Sequence, residues 1–473
     1  MKKFLCPIGL LAGSIFLPTA SFAADVRPNF LIILADDLGY ADVGFTGGKD
    51  IKTPNIDTLA AAGARLGDFY VQPVCSPTRA SLMTGRYPMR YGLQVGVIRP
   101  WENRGLSLDE RMLPKVLKEA GYTTAIVGKW HLGNYEPAYL PTSRGFDHQY
   151  GHYCGAIDYF KHERDGGFDW HRDDRACHDE GYSTHLIARE AERLLREQPA
   201  DQPFFLYVPF NAVHAPHQVP EKYCAPYASL SEPRRTYAGM VAAMDEAIGR
   251  ILAALDARGF RTNTLIFFSS DNGGPNPGRV TSNGPLRAGK GTVYEGGTRV
   301  CACVAWAGHI KAGTSIARPL HMVDWYPTML QLAGASPDQK LPLDGRDILG
   351  VLTQGRPSPH DQILLNTTPQ GGAIRVGDWK LVLNGINGTG EQDDESPAPA
   401  KSKKAARKNQ PPKVELFNLA QDLSEKHDLS TERPEKVKEL RARYDALAKQ
   451  AAKPGNQPKA PDYKAPKVWG EKD

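Results

Sequence analysis

The chain has little net charge, few cysteines and, past its first residues, no long apolar run. The 58 Lys and Arg against 53 Asp and Glu leave a formal charge of +5 over 473 residues. That surplus is too small to mark a nucleic-acid binder, although a modest positive balance suits polyanionic ligands. No stretch after residue 23 approaches the ~20 apolar residues a bilayer-spanning helix needs, so no stable membrane insertion is expected. With 41% hydrophobic and 23% charged residues the chain has globular composition, long enough for one large domain and a smaller one.

The amino terminus is the exception to the missing apolar runs. Lys2 and Lys3 precede an apolar stretch at 4–17, followed by small residues ending in Ser21-Phe22-Ala23. This reads as a signal peptide, residues 1–23, cleaved after Ala23, and implies an exported protein, periplasmic or secreted, with a bacterial cast to the leader. Removing Cys6 leaves Cys75, Cys154, Cys177, Cys224, Cys301 and Cys303 in a compartment where disulfides form. If Cys75 is reserved for chemistry, at least one other must be unpaired; Cys154 and Cys177 are the candidate pair, sharing one irregular segment.

Four short apolar runs, at 30–34, 123–127, 204–208 and 264–268, are rich in β-branched and aromatic residues. Continuous hydrophobicity implies strands buried on both faces, with helical stretches such as 113–120 and 237–255 covering them. The expected fold is α/β, a large doubly wound mixed sheet flanked by helices. Within a few residues of those four runs come Asp36-Asp37, then Lys129 and His131, then His214, and finally Asp271-Asn272. Any one would read as a turn, but ligands bind at the carboxyl edge of such sheets, and four polar strand ends together predict one convergent site. Three carboxylates and an amide oxygen are hard donors, suited to Ca²⁺ or Mg²⁺ rather than Zn²⁺. Adjacent buried carboxylates would also repel unless a cation neutralised them.

Cys75-Ser76-Pro77-Thr78-Arg79 opens a further segment that runs on to Thr84-Gly85-Arg86. Ser76 can cap a helix and Pro77 suits its first turn, so Cys75 is expected at a helix N-terminus, where unpaired amides favour an anionic group. An isolated Cys-Ser-Pro would read as a structural cysteine. Here Cys-x-Pro-x-Arg followed by Thr-Gly-Arg resembles the sulfatase signature, whose cysteine is oxidised to formylglycine. Asp36-Asp37-Leu38-Gly39-Tyr40, Gly128-Lys129-Trp130-His131-Leu132-Gly133, Asp271-Asn272-Gly273-Gly274 and the block at 289–299 resemble family motifs in family order, and the likeness covers roughly 27–385. Segments at 70–73, 121–124, 140–147 and 237–240 are similar to the arylsulfatase B subgroup, N-acetylgalactosamine-4-sulfatases.

The resemblance implies an alkaline phosphatase-like fold and sulfate-ester hydrolysis on sulfated carbohydrate, through a covalent sulfate hemiester. It implies a formylglycine at Cys75 made by a maturation enzyme, and metal ligation by Asp36, Asp37, Asp271, Asn272 and residue 75. Arg79 and Lys129 would hold the nucleophile and metal surroundings, Lys290 would grip sulfate, His131 would be the base and His214 the acid. A catalytic domain at 24–360 would precede a C-terminal antiparallel sheet and helix at 361–455, with a flexible insertion at 391–413 and a loosely ordered tail at 456–473. A phosphodiesterase or phosphonate monoester hydrolase on the same fold is the alternative enzyme, and a polysaccharide-binding protein with unconverted Cys75 the non-enzymatic one.

Overall fold

The computed structural model describes Met1 and residues 27–385 and 413–471. Nearly all of the leader and of the 391–413 insertion therefore lies outside the described residues. Ten strands form the main sheet, in the order Thr314–Ile316, Ala64–Leu66, Ala302–Ala305, Thr264–Ser270, Asn29–Ala35, Phe204–Pro209, Thr123–Lys129, His148–His152, His171–Arg172 and Arg175–Ala176. The five from Thr264–Ser270 to His148–His152 run parallel. The flanking strands Ala302–Ala305 and His171–Arg172 are antiparallel to their neighbours, so the sheet is mixed, as expected.

Burial on both faces explains the continuous apolar runs. In Asn29–Ala35, Leu31 and Ile33 pack into one core with helices Ser183–Glu197 and Arg234–Ala257. Phe30, Ile32 and Leu34 pack into a second core with Cys75–Thr84, Leu113–Glu119 and Trp325–Leu332. Alternate side chains point to opposite faces of a strand, so both sets must be apolar. Parallel direction then brings the carboxyl ends of five strands to one edge, where the polar residues lie.

A second, four-stranded antiparallel sheet follows: Ile363–Thr368, Gly371–Val376, Trp379–Leu383 and Val414–Asn418, covered by helix Pro434–Ala448. A buried charge network joins it to the main body. Lys380 Nζ lies 2.8 Å from Glu295 and 2.9 Å from Glu425. Glu295 also accepts from the Tyr70 hydroxyl at 2.7 Å and lies 3.4 Å from Arg299.

Two expectations fail. All six cysteines beyond the leader are free among the described residues, Cys154 and Cys177 included. Proximity in sequence is a weak guide where the intervening strands carry the two thiols into different packing environments: Cys154 belongs to one core and Cys177 packs at the rim of the other. The segment expected as a loose tail is instead a docked strap. Its Gln457 amide donates to Glu102 Oε1 at 2.6 Å, Phe168 donates to Lys467 O and Trp469 to Phe168 O, each at 2.9 Å, and Trp469 is 1% exposed. A few anchors in a Lys- and Pro-rich stretch leave no periodicity to read, yet one buried indole holds more apolar area than several exposed residues forgo.

Trp469→Ala is therefore expected to cost about 3–5 kcal/mol in urea unfolding, whereas a loose tail would register almost none. Burial and the neighbouring Glu295 push Glu425 up to about 7 despite Lys380. The folded chain then retains a proton that the unfolded chain loses between the ordinary glutamate range and about 7, so this group's contribution to stability falls as pH rises through that window. Glu425→Gln should flatten this part of the pH–stability curve, and an unchanged slope would contradict it.

Candidate active site

Asp36 and Asp37 follow strand Asn29–Ala35 directly, and Asp271 and Asn272 follow its neighbour Thr264–Ser270. The register places the two ends side by side, and the Asp37 amide donates to Asp271 Oδ1 at 3.3 Å. Asp37 adopts φ 63°, a conformation Asp tolerates better than most residues. Lys129 ends the strand two places from Asn29–Ala35 in the sheet, and its Nζ lies 2.5 Å from Asp36 Oδ2.

Cys75 begins helix Cys75–Thr84, whose every residue is buried. Ser76 does not cap it: the helix starts two residues earlier than a Ser76 cap would require, and Ser76 Oγ instead accepts from the Ile98 amide at 3.1 Å. Cys75 Sγ lies 3.4 Å from Asp36 Oδ1 and 3.4 Å from Asn272 Oδ1. One turn along, Arg79 donates to Asp271 Oδ2 through Nε at 3.1 Å and Nη2 at 2.8 Å, and to Lys129 O at 3.1 Å. The helix thus presents its first residue to the strand edge and braces that edge with its fifth.

Lys290 and His214 approach from the other side. Lys290 Nζ is 2.9 Å from Asp37 Oδ2 and 3.3 Å from His214 Nε2, and His214 Nε2 is 3.6 Å from Asp37 Oδ2. His214 Nδ1 donates to Ala215 O at 2.6 Å, since a carbonyl can only accept. The same argument makes His131 Nε2 the donor to Ile98 O at 3.1 Å, leaving a lone pair on Nδ1, which is buried without a hydrogen-bond partner. Gly155 is needed beside this ring: a Cβ there would come within 2.5 Å of His131 Cε1.

All ten residues singled out in the sequence gather at this edge or line the pocket above it. Asp36, Asp37, Cys75 and His214 each offer a ligand atom within 4.8 Å of one another, a group that could hold a metal ion. His214 falls inside this group and Asp271 does not; Arg79 and the Asp37 amide engage the Asp271 oxygens. Asp36, Asp37 and Asp271 face Lys129, Lys290 and Arg79, so side-chain cations already offset much of the carboxylate repulsion. Burial and Asp271 nevertheless push Asp36 up to about 7 against Lys129 and Arg79. Added positive charge would relieve that penalty, and the oxygen donors fit a hard divalent cation. At Asp37 burial works the same way but is outweighed by Lys290 and His214, which hold its carboxyl well below the usual range. Burial, then Lys129 and Arg79, holds His131 neutral.

Above Cys75 opens a pocket whose lining the motifs did not reveal in full: Arg99 and Arg164 join His131, His214 and Lys290. Neither arginine belongs to a recognised motif: Arg99 follows the apolar Val97-Ile98, and Arg164 stands between Glu163 and Asp165, with no signal that sets it apart from a surface cation.

Cations gathered over a carboxylate edge suit an anionic ester and its hydrolysis. A model of the sulfatase family matches residues 28–335. The chain is 38% identical over 481 residues to arylsulfatase J of Mus musculus, covering 94% of this chain and 79% of that protein. It is 36% identical over 380 residues to N-acetylgalactosamine-6-sulfatase of Rattus norvegicus, covering 74% and 71%. The solved structure of Ps i-CgsB in complex with k-i-k-neocarrahexaose is 34% identical, with a TM-score of 0.79 over 91% of this chain and 94% of that one. The chain belongs to the sulfatase family and is a sulfuric ester hydrolase of alkaline phosphatase-like fold.

Arg79→Met should lower stability by about 3–5 kcal/mol, because it leaves the Asp271 carboxylate buried without its paired cation. Chemical denaturation measures this directly, and a loss below about 1 kcal/mol would mean that the pair is replaceable by packing.

Proposed function

We propose that the protein is an exported sulfatase acting on sulfated carbohydrate, with a formylglycine made from Cys75 as nucleophile and a divalent cation, Ca²⁺ ahead of Mg²⁺, beside it. The observation that carries this reading is the position of Cys75: first residue of a buried helix, 3.4 Å from Asp36 and Asn272, at the floor of a cation-lined pocket. A bound cation, held by Asp36, Asp37, Asp271, Asn272 and residue 75, would supply positive charge towards the sulfuryl oxygens and lower the pKa of the nucleophile. A formylglycine hydrate offers two hydroxyls on one carbon, one to attack sulfur and one whose deprotonation lets sulfate leave.

The chain's own residues supply the rest. Lys290 binds a sulfuryl oxygen by turning its ammonium from Asp37 and His214 towards the pocket. His214, relieved of that cation and still near Asp37, carries a proton on Nε2 to the leaving alcohol. His131, neutral and with its Nδ1 lone pair unengaged, accepts the proton from the second hydroxyl. Arg79 and Lys129 hold Asp271 and Asp36 in place without entering the reaction.

Within sulfated carbohydrates the finer assignment is N-acetylgalactosamine-4-sulfate, on the likeness of the segments at 70–73, 121–124, 140–147 and 237–240. A relative's name points to the 6-sulfate and a neighbour's bound saccharide is neocarrahexaose, so these are the informative competitors. A phosphonate monoester hydrolase at 21% identity shares the fold alone. Inorganic sulfate release from matched 4- and 6-sulfated N-acetylgalactosamine saccharides and from neocarrahexaose, with conversion at residue 75 verified by peptide mass, should favour the 4-sulfate. Faster release from either competitor reassigns the substrate, and release from none of a broad panel defeats the reading. Chelation should abolish turnover, with Ca²⁺ restoring more of it than Mg²⁺.

A further inference from the structure

The docked C-terminal segment carries lysines that the fold does not pair with acids. Between residues 453 and 467 it holds Lys453, Lys459, Lys464 and Lys467 against a single acid, Asp462. All four lysines are exposed, and among the described residues no carboxylate lies within ion-pair distance of any of them. Lys459 Nζ lies 5.2 Å from the Trp101 and Tyr463 rings, contacts that leave its charge uncancelled. Elsewhere surface cations meet acids: Lys118 meets Asp147, Arg172 meets Glu190 and Lys436 meets Glu439. A run of exposed cations often does no more than solvate a surface, so its placement has to decide.

This segment is laid across the loops that line the pocket over Cys75. Gln457 O accepts from Trp101 Nε1 at 3.1 Å and the Gln457 amide donates to Glu102, beside Pro100 of the pocket lining. Farther on, Val468 pairs with Phe168, and Trp469 Nε1 donates to the carbonyl of Arg164, another lining residue, at 3.0 Å. At the opposite end Lys453 lines a separate groove of about 550 Å³ with Gln94, Thr368, Gln370 and Tyr444. Gln94 Oε1 is buried there without a hydrogen-bond partner, and hydroxyls and amides of this kind suit the hydroxyls of sugars. The lysines therefore follow a path from that groove, past the Pro100 side of the pocket, to its Arg164 side.

Residues 453–467 can span at most about 50 Å, the scale of several linked sugars rather than one. Lysine suits such a path, because an ammonium on a flexible stem meets repeated anions as a mobile point charge without fixing their register. We propose that Lys453, Lys459, Lys464 and Lys467 form a track that holds a polymeric sulfated carbohydrate while one of its esters occupies the pocket over Cys75. The substrate is then a long polyanionic chain in preference to a disaccharide. This rests on the pocket being the sulfate-ester site, and the test keeps the two apart.

A disaccharide of 4-sulfated N-acetylgalactosamine type is compared with a long oligosaccharide of the same repeat. Binding is measured by calorimetry at low and high salt on protein whose residue 75 is still a thiol, and sulfate release on converted protein. Counted per repeating unit, the wild-type protein should bind the long chain more tightly, and salt should erase that advantage as it screens exposed charges. The fourfold variant K453Q/K459Q/K464Q/K467Q should weaken long-chain binding by roughly tenfold, about a factor of two per lysine, the scale of exposed ion pairs. Its KM for the long chain should rise with kcat unchanged, and its binding of the disaccharide should stay within about twofold. The fourfold Lys→Arg variant should keep the long-chain affinity, which identifies charge as the cause. Equal affinity per repeat for both lengths in the wild-type protein, or a loss in the glutamine variant that is absent or equal for both lengths, overturns the track. If the long-chain preference persists in binding but converted protein releases sulfate from no ester of a broad panel, the hydrolytic reading falls and the track stands.

Discussion

The structure depends on a charge balance that it must keep in the dark. Asp36, Asp37 and Asp271 are almost fully buried at the carboxyl edge of the main sheet, where unpaired carboxylates would each cost several kcal/mol. Their cations come from three separate places: Arg79 from the Cys75 helix, Lys129 from the strand two places from Asn29–Ala35, and Lys290 from the long connection after Asp271. Each pairing fixes one element against the edge. The balance is also incomplete, since burial and Asp271 still push Asp36 up to about 7 despite two cations. A perfectly neutralised cluster would hold the fold together but leave no electrostatic reason for a further cation to enter.

The segment at 289–299 ties this centre to the second sheet. Lys290 reaches Asp37, whereas Glu295 and Arg299, a few residues on, point away from the pocket. Glu295 meets Lys380, and Arg299 meets Asp68, which also pairs with Arg375 of the smaller sheet. A single short stretch thus carries a cation for the site at one end and a buried junction to the C-terminal sheet at the other. The smaller sheet is bound into the core by charge as well as by packing, and its displacement would strain the loop bearing Lys290.

Legibility in the sequence followed locality. The central strands were readable because burial on both faces leaves a run of apolar residues, and their ends were readable because Asp36, Asp37, Asp271 and Asn272 stand immediately after those runs. The helix at Cys75 was readable, but its first residue was not: whether Ser76 caps the helix or bonds to Ile98 depends on a segment some twenty residues away. Arg99 and Arg164 were hidden for the same reason. Each looks like an ordinary surface cation until the strap at 455–471 brings the two loops to one pocket, and the strap announces itself only through isolated aromatics. The free cysteines belong here too, since pairing is decided by distance in space and Cys154 is enclosed in a core away from Cys177.

Burial of Cys75 constrains when its chemistry can be installed. The residue is 1% exposed, every other residue of its helix is buried, and burial followed by the Asp271 charge pushes its thiol well above the usual range. A thiol in that state is a poor nucleophile and is closed to a protein-sized oxidant. On the proposed reading, an enzyme that converts Cys75 would have to meet the 75–79 segment in an extended form, before the helix docks between sheet and pocket. The strong local signals around Cys75 fit that requirement, because Pro77 and Arg79 can be read from an unfolded chain, whereas Asp36, Asn272 and His214 come together only afterwards. On that reading the motif would be recognised first in the unfolded segment, and Arg79 then braces the folded edge.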